Sequence, residues 1–160
     1  MDGGGIVMAI DYTQLTALTA EIQSDPNAYG YAAFVAEGND QGIADLLNLR
    51  RDGVSAPGTA ITVYRNDVRK AEIIGAFVVT DYDALTAARR DLVGAILQLD
   101  TVDATDATLR SNLAAVFAAG TTTRANLVAM AQRAGSRAEA LFGTGAFIAH
   151  QDVARALGRG

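Results

Sequence analysis

The sequence predicts a mainly α protein, a compact bundle of about six to seven short helices with at most one short β-strand or hairpin. Three observations lead there. Apolar residues recur at three- and four-residue spacing through most of the chain. Alanine is abundant at the facing positions, which lets helices approach closely, and the polar or glycine-containing connectors are short. With 160 residues, half of them apolar, the chain is long enough to bury one core without metals or disulfides. Residues 9–160 therefore read as a single helical domain. Residues 1–8 carry three glycines and no periodicity and read as a flexible N-terminal tail, with Met8 as an alternative start.

Leu15, Leu18 and Ile22 give a first amphipathic helix that stops before Pro26. "SDPNAYGYAAF" reads as a turn, because Pro26 pushes Asp25 out of the helical region and Gly30 permits a sharp bend. That turn brings Tyr29, Tyr31 and Phe34 together, either pinning the loop to the core or forming a contact patch. Asn39 or Asp40 caps a helix containing Ile43, Leu46 and Leu47, with Arg50 on its flank, and "RRDGVSAPGTA" breaks it. "AITVYR" is the one stretch rich enough in β-branched and aromatic residues to be a strand. No partner for it stands out, so extension without pairing and pairing with another subunit both stay open.

Asn66 or Asp67 caps a buried apolar helix over Val68, Ile73, Ile74, Phe77 and Val78. Thr80, with Asp83 three residues on, is the expected capping box of a long helix faced by Leu85, Ala88, Leu92, Ile96 and Leu99. "DTVDATDAT" is a polar connector in which Thr105 or Asp106 caps a helix of Leu109, Leu113, Val116 and Phe117, ended by Gly120. Thr121 or Thr122 opens another helix, which runs through or bends near Gly135 toward Leu141 and Phe142. Gly143 and Gly145 close it, and a last short helix covers residues 151–157.

The formal net charge of −5 argues against a general nucleic-acid binder, whose footprint is a basic patch. Charge is unevenly spread: residues 1–120 hold 8 Lys+Arg against 16 Asp+Glu, whereas residues 121–160 hold 5 arginines against 2 acids. A dipolar chain of this kind could stack on copies of itself or on a partner of complementary charge, or simply carry a chance fluctuation on a solvated surface. The lack of cysteine removes disulfides, thiolate metal sites and cysteine nucleophiles together. No run approaches the ~20 apolar residues of a membrane span, and "MDGGGIVMAIDY" lacks the pattern of a signal peptide. The expectation is a protein that is cytosolic or part of something assembled there, without membrane contact.

Chemistry-bearing motifs are sparse. His150, the single histidine, has Asp152 two residues away, a spacing that points the two side chains apart on a helix, and it reads as a helix-start or packing residue. "LFGTGAF" lacks the Gly-Lys-Ser/Thr ending of a phosphate loop, and Ser136 lacks the final glycine of a nucleophile elbow. Asp81 with Asp83 and Asp103 with Asp106 sit where helix starts need carboxylates. No catalytic, cofactor-binding or metal-ligating residue is assigned, no small-molecule substrate is expected, and the chain reads as non-enzymatic. Arg133 and Arg137 share a helix face in this reading, with Glu139 the only nearby acid to neutralise them. Together with Tyr29, Tyr31 and Phe34 they form the candidate protein-contact set.

Three stretches, "EIQSDPNAYGYA", "IADLLNL" and "RAEALFGTGAFIAHQDVARAL", resemble in order a group of small proteins encoded by tailed bacteriophages and prophages. The matching positions are Asp25, Pro26, Gly30, Tyr31 and Ala32, then Arg137, Ala138, Glu139, Asp152 and Val153. Residues 52–105 match only in general helical character. The resemblance implies a setting in the phage particle or its assembly and brings no catalytic residue with it. It leads to the expectation of a virion structural subunit, capsid-associated, at the head–tail connector or in the tail, contacting itself or other virion proteins. A small intracellular regulatory or binding protein absent from the particle is the alternative, and an enzyme using His150 with Asp152 is a further rival.

Overall fold

The computed structural model describes residues 10–55 and 58–160; the expected tail, residues 1–8, lies outside them. The chain forms α1 (Tyr12–Ser24), α2 (Tyr31–Glu37), α3 (Asp40–Asn48), β1 (Arg50–Arg51), β2 (Thr62–Tyr64) and β3 (Val68–Arg69). It continues through α4 (Lys70–Ala76), α5 (Val79–Asp83), α6 (Ala87–Ile96), β4 (Thr101–Val102) and α7 (Ala107–Val116). It ends with α8 (Thr122–Met130), β5 (Gln132–Ser136), α9 (Arg137–Phe142) and α10 (His150–Ala156). The strands form a three-stranded sheet of order β1-β5-β2 and a two-stranded sheet of β3 and β4. The protein is helix-rich, as the periodicity predicts, but the described residues hold ten helices and five short strands, more of each than expected.

The described residues form two compact units: those up to residue 62 together with 134–160, and residues 63–133 between them in sequence. In the first unit, α3 packs on α2, α9 and α10, and α1 packs on α2 and α10. Its core gathers Leu18, Ile22, Ile43, Leu47, Ile148 and Val153. α1 starts at a capping box, in which the Asp11 carboxylate accepts the Gln14 N–H at 2.8 Å and Gln14 Oε1 accepts the Asp11 N–H at 3.0 Å. Arg50 stands opposite Ser136 and Arg51 opposite Gly135 in the antiparallel pairing of β1 with β5.

In the second unit, α4 packs on α8 and α6 on α7 around Val68, Ile73, Val93, Ile96, Val116 and Phe117. Arg65 ties together its two ends in sequence. The Arg65 N–H donates to the Ala131 carbonyl at 2.9 Å, and the Arg65 carbonyl accepts the Ala104 N–H at 2.8 Å. The guanidinium reaches Glu72 at 2.8 Å, Asp67 at 3.1 Å and the Met130 carbonyl at 3.3 Å. That guanidinium holds the Glu72 carboxyl down at about 2, with help from the Arg69 N–H.

Four expectations are corrected. The strand within "AITVYR" does have a partner in its own chain: β5, where the alanine-rich pattern predicts a continuous helix through Gly135. Gly135 is a poor helix former, and its N–H instead donates to the Ile61 carbonyl at 2.8 Å. The apolar segment over Val68–Val78 becomes β3, α4 and the extended residues before α5, because at Phe77 the backbone turns extended and the Val78 N–H is taken by the Thr123 hydroxyl at 2.8 Å. The long helix begins six residues later than expected, at a Thr86 N-cap and not at Thr80, which lies inside α5. Part of the connector "DTVDATDAT" is the strand β4, in which Val102 pairs with Val68.

The cap assignment separates two neighbouring threonines. Thr86→Ala should destabilise the protein by about 1 kcal/mol, the usual worth of an N-cap hydroxyl. Thr80→Ala, at an exposed helical position, should be neutral or slightly stabilising in urea unfolding. Equal losses for both would contradict the start of α6 at Thr86.

Candidate functional site

Three of the candidate contact residues, Tyr29, Tyr31 and Arg137, belong to a polar cluster in the first unit, built from the turn after α1 and the start of α9. α1 ends because Asp25 takes left-handed backbone, with φ 40°. Its carboxylate then accepts three successive N–H groups, from Tyr29 and Gly30 at 2.7 Å and from Tyr31 at 3.2 Å. This closes the turn and starts α2 at Tyr31, behind Gly30 at φ 90°, a conformation that suits glycine.

Tyr31 is fully buried. Its hydroxyl lies 3.4 Å from Glu21 Oε1, and Arg137 grips the same carboxylate with Nε at 2.8 Å and Nη2 at 2.6 Å. The Glu21 side chain is 3 % exposed and that of Arg137 22 %, so the pair is partly shielded from water and the bidentate geometry offsets the cost of burying the carboxylate. Burial, with Glu21 next in effect, pushes the Tyr31 hydroxyl well above the ordinary tyrosine range. Glu21 also raises Arg137, chiefly through their hydrogen bond.

Tyr29 is half-buried and meets Tyr31 edge-on, with centroids 5.9 Å apart. The buried Arg51 guanidinium stacks 3.7 Å from the Tyr29 ring centroid and donates to the Leu46 carbonyl at 3.1 Å. Gly58, at φ 100°, passes this stack so closely that a Cβ would come within 2.9 Å of the Tyr29 ring. Phe34 lies half-buried against the first unit's core, over Gly42, whose lack of a side chain makes room for the ring. Arg133 is half-buried within β5. Tyr29, Tyr31 and Arg137 are thus brought together, whereas Arg133 and Arg137 sit on a strand and a helix respectively and share no helix face.

The acid that answers Arg137 is Glu21, not Glu139. Glu139 instead forms a capping box with Ser136, and its Oε1 accepts the Gly145 N–H at 2.8 Å, which shapes the "FGTGAF" turn. Asn48 then meets the returning chain in two bonds, accepting the Ile148 N–H at 2.9 Å and donating to the Ile148 carbonyl at 2.7 Å. His150 is exposed as the first residue of α10, while Asp152 accepts the Ala149 N–H at 3.1 Å and contacts Arg155 at 3.5 Å. Asp81 caps the second unit's α8 by accepting the Thr123 N–H at 2.8 Å, and Asp103 accepts the Thr105 N–H and hydroxyl. Among the described residues no three histidine or acidic side chains converge as a metal site, and no helix is long and apolar enough to cross a membrane.

Sequence reasoning missed Glu21, Arg51 and Asn48. Only Glu21 had a readable signal: it stands three residues after Leu18 and beside Ile22, on the face that the helical period sends inward. Comparison with protein-family models, with curated proteins and with solved structures gives no match to this chain.

Glu21→Gln and Arg137→Met should each cost about 3 kcal/mol in urea unfolding, because each strands a charged partner. The double variant should cost clearly less than the sum of the two, and additive losses would mean that the pair contributes no coupling. At high pH the unfolded chain releases the Tyr31 proton near the ordinary tyrosine value while the folded chain keeps it. Stability should therefore fall as pH rises above about 10. Tyr31→Phe should flatten that decline, as read from chemical unfolding at pH 8 to 11.

Proposed function

We propose that the chain is a non-enzymatic structural subunit of a tailed-bacteriophage virion, capsid-associated or at the head–tail connector, with the tail a further location. It works by protein–protein assembly. One observation carries the reading. The three stretches that resemble the phage group cover residues 21–32, 43–49 and 137–157, and all of them lie in the first unit, where Glu21 of the first pairs with Arg137 of the third and α3, which holds most of the second, packs on α9 and α10. Most of residues 52–105, which match only in general character, belong to the second unit.

The matching residues also have a common kind of role. Asp25 closes a turn, Tyr31 and Arg137 hold Glu21, Glu139 and Asp152 bind free N–H groups at helix starts, and Ala138 and Val153 fill the core. Residues spent on bracing backbone suit a scaffold that is placed many times in an assembly, where repeated modest contacts supply affinity by multiplicity. The His150–Asp152 enzyme reading gains nothing from the geometry, since the Asp152 carboxylate serves the start of α10.

The test is mass spectrometry of purified particles from the phage or induced prophage that encodes the chain, paired with light scattering of the isolated protein over concentration and salt. The expected result is the chain in the particle at a defined copy number, with self-association or binding to another particle protein. Its absence from particles, with a monomer at all concentrations, would overturn the proposal in favour of an intracellular regulatory protein.

A further inference from the structure

The second unit holds a chamber of about 240 Å³ between α7, α8 and the strand pair β3–β4. Its walls are almost wholly apolar, with Val68, Ile73, Val102 and Leu127 buried and Leu113 half-buried, and among the described residues the only charged side chains that line it are Arg110 and Arg124. An apolar cavity of ~150 Å³ is already large enough to take benzene, so this one has room for a longer apolar body. It differs from a packing defect in the two arginines that accompany it.

Both guanidinium groups are fixed through one nitrogen. Arg110 Nη1 donates to the Ala104 and Thr105 carbonyls, each at 2.7 Å, and the group stacks 4.0 Å from the centroid of Tyr64. Arg124 Nη1 donates to the Ala114 carbonyl at 3.2 Å. Neither forms an ion pair with a carboxylate of the described residues, in a chain with 18 acids against 13 bases. Arg110 is tied to carbonyls just before the start of α7 and Arg124 to the Ala114 carbonyl near its end, so the two cations stand toward opposite ends of that helix.

We infer that this chamber binds a small amphipathic carboxylate, with an unbranched or ring-shaped apolar body inside it and the carboxylate on one of the two arginines that line it, Arg110 or Arg124. The chemistry comes from the lining: the apolar walls reward burial of hydrocarbon, the fixed donors reward an anion, and the absence of an acid among the described lining residues leaves nothing to attract a cation. The inference concerns the second unit and does not rest on the assembly reading.

Calorimetric titration of the full chain with decanoate, and with decylamine as a cation of equal chain length, tests it. Decanoate should bind with a dissociation constant on the order of 10–100 µM, and decylamine at least about tenfold more weakly. Arg110→Gln/Arg124→Gln should weaken decanoate by about tenfold or more, and Ala114→Phe should abolish binding by filling the chamber. Methyl NMR of the unaltered protein keeps the test decisive if a variant fails to fold: decanoate should shift the Leu113, Leu127 and Val128 methyl signals first. Millimolar decanoate without such shifts, or decylamine binding as tightly as decanoate, would overturn the proposal.

Discussion

The first unit depends on one ion pair. Glu21, late in α1, and Arg137, the first residue of α9, are 116 positions apart and meet in two bonds of 2.8 and 2.6 Å. A carboxylate buried to this degree is costly unless every part of it is answered, and here a guanidinium fork and a tyrosine hydroxyl do so. That anchor sets the course of the chain beyond it. With α9 fixed at Arg137, the Ser136–Glu139 capping box places Glu139, and its second oxygen holds the Gly145 N–H. The turn then delivers Ile148 to Asn48, and Asp152 starts α10, whose Val153 enters the core. The stretch from Ser136 to Val153, with its histidine, two glycines and one arginine, is a train of helix starts and turns locked by carboxylates.

Much of the fold was legible wherever a local signal agreed with the tertiary outcome. One of the two candidates caps the helix in each of the pairs Asn39 or Asp40, Thr105 or Asp106, and Thr121 or Thr122, namely Asn39, Asp106 and Thr121, and α1, α3 and α7 carry the expected apolar faces. Disagreement came where a distant partner decided the outcome. Nothing near Gly135 announces that its N–H will go to Ile61, and nothing near Val78 announces the Thr123 hydroxyl. Short apolar runs such as Val68 to Val78 fit either period, and here a hydrogen bond to a residue 45 positions away settled the choice. The cluster was half legible for the same reason. Tyr29 and Tyr31 are close in sequence, but the match of Glu21 to Arg137 is a long-range fact that a helix-face count cannot supply.

The charge pattern shows the same limit from another side. The sequence sets acids in its first 120 residues against an arginine surplus in its last 40, which suggests a molecule with two oppositely charged poles. Folding of the first unit cancels part of that separation: Arg137 is carried to Glu21, and Arg159 to Asp40 at 2.7 Å. Arg155 is answered locally by Asp152. Three of the five C-terminal arginines are therefore neutralised by carboxylates within their own unit, and a stacking mechanism driven by opposite poles loses most of its force.

The arginines instead fall into two groups by what surrounds them. Arg65 and Arg137 each have carboxylate partners at hydrogen-bond distance and serve as the structural centre of one unit. Arg110 and Arg124 are tied only to carbonyls and, for Arg110, an aromatic face, beside a chamber with no acid among the described residues of its wall. Carbonyl contacts orient a guanidinium but leave its charge uncompensated, so the favourable field at that chamber persists in the folded protein. The first unit answers three of its arginines with its own carboxylates, whereas the second sets two cations without a carboxylate partner among the described residues beside an apolar space, and that difference is written in the side chains of each unit taken separately.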